Sequence, residues 1–121
     1  MGIPRTFVAF ALTGLLAASL AGCAKAATAP GKYDQTWSKN YSDTTCLEFR
    51  TSMTEQQRWA AAADMLTGAR TKGDGITGMP SDQLVTTFLQ GVKTACVVDT
   101  MSVAETGATL YLTERTLFGG Q

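Results

Sequence analysis

A hydroxyl residue followed three places later by Glu or Gln recurs at Thr45-x-x-Glu48, Thr54-x-x-Gln57 and Ser102-x-x-Glu105. In such a capping box the hydroxyl accepts from the backbone N–H three residues on. The acidic or amide side chain reaches back to the first residue's N–H, so two donors that a helix start leaves unpaired are satisfied. Ser81-Asp82, directly after Pro80, reads as a fourth start, with Ser81 as the cap and Asp82 placed against the positive end of the helix dipole. Four such starts in succession point to an all-α fold.

The residues behind the caps have helical faces. From about 55 to 71, Trp59, Ala62, Ala63, Leu66 and Ala69 share one side, with Arg58, Asp64 and Arg70 on the polar side. From about 82 to 98, Leu84, Val85, Phe88, Leu89, Val92, Ala95 and Cys96 form a continuous apolar face, which turns Cys96 inward. In the last segment Val103, Gly107, Leu110, Tyr111, Leu117 and Phe118 recur at helical intervals up to Gly119-Gly120, although Thr109 to Thr113 also alternates as a strand would. Residues 71 to 80 read as a loop by composition. Gly73, Gly75 and Gly78 match Gly-x-Gly-x-x-Gly only formally, because the dinucleotide fingerprint follows a strand and opens a helix, whereas here a helix comes first. Asp74 lacks the alternating acidic ligands of a calcium loop.

The start of the chain resembles a bacterial lipoprotein precursor. Arg5 precedes an apolar stretch from Phe7 to about Ala21, closed by Leu20-Ala21-Gly22-Cys23, which is similar to a lipobox. That resemblance implies diacylation of the Cys23 sulfur, cleavage between Gly22 and Cys23, and a chain tethered at the extracytoplasmic face of a membrane. The run is shorter than the roughly 20 residues a helix needs to cross hydrocarbon. Lipid is therefore the expected anchor, each buried methylene contributing about 0.8 kcal/mol. An ordinary secretory leader that happens to end in cysteine, or an amphipathic N-terminal helix, is the competing reading. The expected organisation is a signal peptide over 1–22, a lipidated N-terminus and tether over 23–42, and one helical domain over 43–121.

With Cys23 assigned to lipid, Cys46 and Cys96 remain of the three cysteines, in an oxidising compartment. One disulfide is expected. Closing a loop of about 50 residues would stabilise a small fold by roughly 4 kcal/mol through chain entropy. The alternatives are two separate buried thiols or a redox-active pair, although the spacing is unlike Cys-x-x-Cys. In the tether Tyr33, Trp37 and Tyr41 fall four apart, which would place them on one face if this stretch were helical. They either meet a partner or fold back onto a core short of large apolar side chains.

Thr45-Cys46-Leu47-Glu48-Phe49, an amphipathic helix, a loop, Pro80-Ser81 opening another helix and Ala95-Cys96 near its end resemble the small disulfide-bridged helical proteins of the HdeA type. These are periplasmic acid-stress chaperones, and the resemblance runs over roughly residues 43 to 112. It implies a small four-helix domain with Cys46 bridged to Cys96, and a homodimer that buries the third helix's apolar face. It also implies loss of that packing in acid, with capture of unfolded clients on the freed surface. The chain departs from the family in lacking lysine-rich ends.

Composition narrows the function further. There is no histidine, so a switch near pH 6 in its usual form is excluded and an acid response would fall to Asp and Glu, near pH 4 or below. Ser-His-Asp and Cys-His arrangements and imidazole metal sites are excluded with it. Neither a catalytic residue nor a metal ligand is identified, and no cofactor is implied. Once Arg5 leaves with the signal peptide, nine of the ten Lys and Arg face ten Asp and Glu, which argues against nucleic acid. The expectation is a non-catalytic envelope lipoprotein, membrane-bound through Cys23, that binds envelope clients or partners. The candidate contact residues are Tyr33, Trp37, Tyr41, Leu84, Phe88 and Val92. The alternative is a phage-encoded superinfection exclusion lipoprotein that meets an incoming phage protein and blocks DNA injection.

Overall fold

A computed structural model describes residues 31–119. The signal peptide and the lipidation of Cys23 fall outside the described residues. A 3-10 turn, Tyr41–Asp43, leads into α1 (Cys46–Thr51), α2 (Glu55–Asp74), α3 (Asp82–Ala95), α4 (Val103–Thr113) and α5 (Arg115–Phe118). Among the described residues there is no strand, only an isolated antiparallel bridge between Thr45 and Ser102. The all-α expectation holds.

The caps form largely as their chemistry dictates. Thr45 Oγ1 accepts from the Glu48 N–H at 3.1 Å and the Thr45 N–H donates to Glu48 Oε1 at 3.0 Å. Thr54 and Gln57 repeat the pair at 3.1 and 2.8 Å, and Ser81 accepts from the Leu84 N–H at 3.1 Å. The third expected box is half formed: Ser102 accepts from the Glu105 N–H at 3.0 Å, but only the hydroxyl half of the box is made. The entry to α4 is held by backbone instead. The Cys46 N–H donates to the Met101 carbonyl and the Val103 N–H to the Thr44 carbonyl, both at 2.8 Å.

Three boundaries differ from expectation. Residues 71 to 74, read as loop, continue α2, because the left-handed residue that stops the helix is Gly75 (φ 68°) and Asp74 gains partners on α4 and α5. Helix α3 ends at Ala95 rather than near 98: Cys96 leaves helical geometry, and its carbonyl accepts from Arg50 Nη1 at 2.7 Å. The last segment breaks at Glu114 (φ −114°, ψ 42°), so α5 turns back on α4. The strand-like alternation of 109–113 is helical throughout, since tertiary packing outweighs the β propensity of those residues.

Helices α2, α3 and α4 pack against one another. Ala60, Ala61, Ala62 and Ala63 of α2 are all buried, and their small side chains let neighbours approach from several sides of that helix. The polar side expected for α2 is only partly solvent-facing. Arg58 Nη1 donates to the Phe49 and Met53 carbonyls at 2.8 and 2.7 Å, satisfying acceptors left open at the end of α1. Phe88 of α3 meets Phe118 edge-on with ring centroids 5.1 Å apart. Gly107 on α4 sits where an added Cβ would be 3.2 Å from Met65 Sδ and 3.5 Å from Phe88 Cζ, so α4 closes on the core without a side chain there.

Cys46 and Cys96 form a disulfide with Cα atoms 5.2 Å apart, and both residues are fully buried. The bridge fastens α1 to the end of α3. Replacing both cysteines by serine should lower stability by roughly 4 kcal/mol, and Phe88→Ala by about 3–5 kcal/mol. Urea unfolding of the exported protein checks both, and an unchanged midpoint in either variant would contradict this account of the core.

Candidate functional site

Residues 31–44 form an arm laid along the domain. The Gln56 side-chain amide donates to the Gly31 and Asp34 carbonyls at 2.8 and 2.9 Å, and Gln35 Nε2 donates to the Ala60 carbonyl at 3.0 Å. Lys32 pairs with Asp82 at the start of α3, and the Tyr33 hydroxyl donates to the same carboxylate at 2.5 Å. The Tyr33 ring stands edge-on to Trp59, centroids 5.0 Å apart. Residues 31–40 are not helical, so the four-residue spacing of the aromatics does not place them on a shared helix face. Trp37 and Tyr41 are half-buried and pack against the core. Trp37 Nε1 donates to Thr44 Oγ1 at 2.8 Å, and that hydroxyl donates to the Asn40 carbonyl at 2.8 Å. Burial, with the Asp64 carboxylate adding to it, pushes the Tyr41 hydroxyl up to about 12.

The six candidate contact residues therefore do not share a surface. Phe88 and Val92 are fully buried, Leu84 is half-buried against the core, and of the six only Tyr33, at 38 % exposure, ranks as exposed. Within a single chain the apolar face of α3 is already covered.

Residues remote in sequence hold that cover in place. Phe118 lies on Phe88, and Arg70 Nη1 donates to the Phe118 carbonyl at 2.6 Å. Arg115 of α5 and the Tyr111 hydroxyl both engage Asp74 at the end of α2. Gly119 passes over this pair where an added Cβ would lie 2.7 Å from both Asp74 Oδ2 and the Tyr111 hydroxyl, so a larger residue there would have to displace them. Lys93 on α3 reaches Glu55 on α2 at 2.5 Å, Glu55 also takes Arg58 at 3.0 Å, and Lys39 of the arm reaches Glu48 of α1 at 2.7 Å.

The ion pairs among these ties end on four carboxylates, Asp74, Asp82, Glu55 and Glu48. Asp74 is held below its ordinary value by Arg115 first and Tyr111 second, and Asp82 by Lys32 and then Tyr33. Glu55 is lowered chiefly by Lys93, and Glu48 by Lys39 together with the Thr45 backbone N–H. From sequence, Glu48 and Glu55 are explained as helix-start residues and Asp74 only as a failed calcium ligand. Their second role depends on partners between 9 and 41 residues away, for which no local pattern gives a signal.

Other surface features are shallow. A groove of about 330 Å³ between α2 and α4 is lined by Ala69, Gly73, Ala108, Tyr111, Leu112 and Arg115. Leu112 and Leu117 stand exposed on α4 and α5, and Val97 and Val98 beside the disulfide. Among the described residues no group of three or more Asp, Glu, Cys or His could hold a metal ion, and no helix is long and apolar enough to cross a membrane. Comparison with protein-family models, with curated proteins and with solved structures finds no match to this chain.

The pH dependence follows from the four carboxylates. A group whose pKa is lower folded than unfolded contributes stability that is complete above its unfolded value and disappears as pH falls through the folded one. Unfolded, these groups titrate as ordinary carboxylates, at about 3.9 for Asp and about 4.3 for Glu. Stability should hold down to about pH 5 and decline below about pH 4. Asp74→Asn should unfold more easily at neutral pH and show a smaller decline in acid. Urea midpoints measured across this range check both, and an Asp74→Asn curve parallel to that of the unsubstituted protein would remove Asp74 from the acid response.

Proposed function

We propose that this chain is a lipid-anchored protein of the bacterial cell envelope, held at the extracytoplasmic face through Cys23, whose helical domain binds protein partners or clients without catalysing a reaction. The observation that carries the reading is the closed state of α3. Its apolar face, including Phe88 and Val92, is buried, while the contacts that keep α2, α5 and the arm around it end on Glu55, Asp74 and Asp82. In neutral solution that surface is inaccessible to a client. In acid, neutralising these carboxylates removes the partners of Lys93, Arg115 and Lys32.

Two further features support a binding role. The disulfide does not titrate and keeps α1 fastened to the end of α3, so acid would open the packing around an intact crosslink and keep the chain poised to reclose. The freed rings and aliphatic side chains would match apolar segments of unfolded chains, whose burial stabilises a complex by roughly 25 cal/mol per Å² removed from water. For a non-catalytic role, the chain has no histidine and the Cys46 and Cys96 sulfurs are joined to each other. The membrane address rests on Leu20-Ala21-Gly22-Cys23.

At about pH 3 the protein should bind an environment-sensitive apolar dye and suppress aggregation of an acid-denatured client, and at pH 7 it should do neither. A domain that stays closed at pH 2, or that opens and leaves client aggregation unchanged, overturns the binding reading. Cys23→Ala should leave an unacylated chain that keeps residues 1–22, read by mass, without altering the fold of the helical domain. A membrane-bound protein whose Cys23 peptide carries no acyl chains would refute the anchor.

A further inference from the structure

The strongest unassigned surface lies where the arm begins. At Gly31 the chain meets a patch made by Lys32, Tyr33, Trp59 and Met79. Met79 is 55 % exposed, Tyr33 is 38 % exposed, and both line the same shallow depression of about 200 Å³. Lys32 Nζ stands 5.1 Å from the Trp59 ring centroid and 5.6 Å from that of Tyr33. The charge of Lys32 is matched by Asp82 at the rim and the exposed Asp64 borders the same depression, so the patch offers two amphipathic rings and a flexible apolar side chain with a carboxylate at its edge.

This rests on the reading that Cys23 carries the lipid. Eight residue steps separate Cys23 from Gly31, and a chain spans at most about 3.5 Å per step, or roughly 28 Å. A compact domain of the described size has a diameter of about 30 Å. The tether is thus too short to run around the domain, and Gly31 cannot be on the side facing away from the anchor. We infer that the Lys32, Tyr33, Trp59 and Met79 face seats on the lipid surface, with the rings at headgroup depth. Trp and Tyr are enriched at that depth because one part of the ring system is apolar and another is polar, and lysine there keeps its ammonium in water while its stem lies along apolar surface.

Two groups of competing exposed apolar residues are less well sited. Val97 and Val98 follow the far end of α3, at least thirteen residues from Asp82 and hence about 20 Å along that helix axis. Leu112 borders the groove that includes Gly73, fourteen residues along α2 from Trp59 and hence about 21 Å along the helix axis. Nothing in the tether brings that end to the membrane.

The test uses the acylated chain, extracted from membranes and reconstituted in phosphatidylcholine vesicles with brominated acyl chains. In Trp37→Phe, which leaves Trp59 as the emitting indole, emission should shift to shorter wavelength and be quenched relative to vesicles without bromine. In Trp59→Phe, the Trp37 emission should be unquenched. If Trp37→Phe loses helical circular dichroism, the unsubstituted chain minus Trp59→Phe supplies the same reading. Met79→Asp, at an exposed position, should reduce the quenching at least by half. Unquenched Trp59 in a chain whose Cys23 is shown by mass to be acylated overturns the docking face alone. A Cys23 peptide without acyl chains overturns both the anchor and the face that depends on it.

Discussion

Burial of the inner face of α3 is the constraint on which this domain depends. A chain of this size can support one core, and Val85, Phe88, Leu89 and Val92 supply its centre from a single helix. Their burial needs close neighbours, which explains two unusual features elsewhere. Helix α2 carries four consecutive buried alanines, and α4 carries Gly107 at its approach to Met65 and Phe88. Larger residues at those points would hold the helices apart and expose the phenylalanine. The disulfide works on the same face from its end, since Cys96 follows directly on α3 and its partner Cys46 opens α1.

Apolar packing accounts for the closeness of the helices, and the electrostatic contacts account for which segments are held over the core. Exposed ion pairs contribute little individually, but here they occur at the ends of elements where packing is thinnest. Asp74 is the clearest case. It receives Arg115 and Tyr111, lies beneath Gly119, and so fixes a four-residue helix that could not persist alone. That short helix in turn carries Phe118 to Phe88. An acidic side chain at the surface thereby bears on an aromatic contact inside.

Much of the architecture was legible because helix starts are local chemistry. Thr45, Thr54 and Ser81 cap helices through residues three places away, and such signals survive in sequence. The end of α2 was not legible: Gly73 and Gly75 are equally good stops by composition, and the choice between them is made by Asp74 reaching α4 and α5. The break at Glu114 has the same origin, because the turn serves to return Phe118 to the core. The partner candidates show the limit of periodicity. Phe88 and Val92 are apolar at helical spacing whether a face is exposed to a partner or closed within the chain, and only the arrangement of α2, α4 and α5 distinguishes the two.

The arm links the core to the tether. Lys32 and Tyr33 bind Asp82 at the first turn of α3, and Tyr33 and Lys32 also approach Trp59 on α2. The residues nearest the proposed anchor are therefore also those that clasp the entry of the helix whose apolar face is buried. Neutralising Asp82 would cost the arm its ion pair to α3, yet the Gln56 and Gln35 amide contacts to backbone carbonyls carry no titrating group and would persist. Acid would loosen the grip of the arm on α3 before its grip on α2. On this arrangement the ties that acid would remove run to α3 and α5, and those that would persist join the arm to α2.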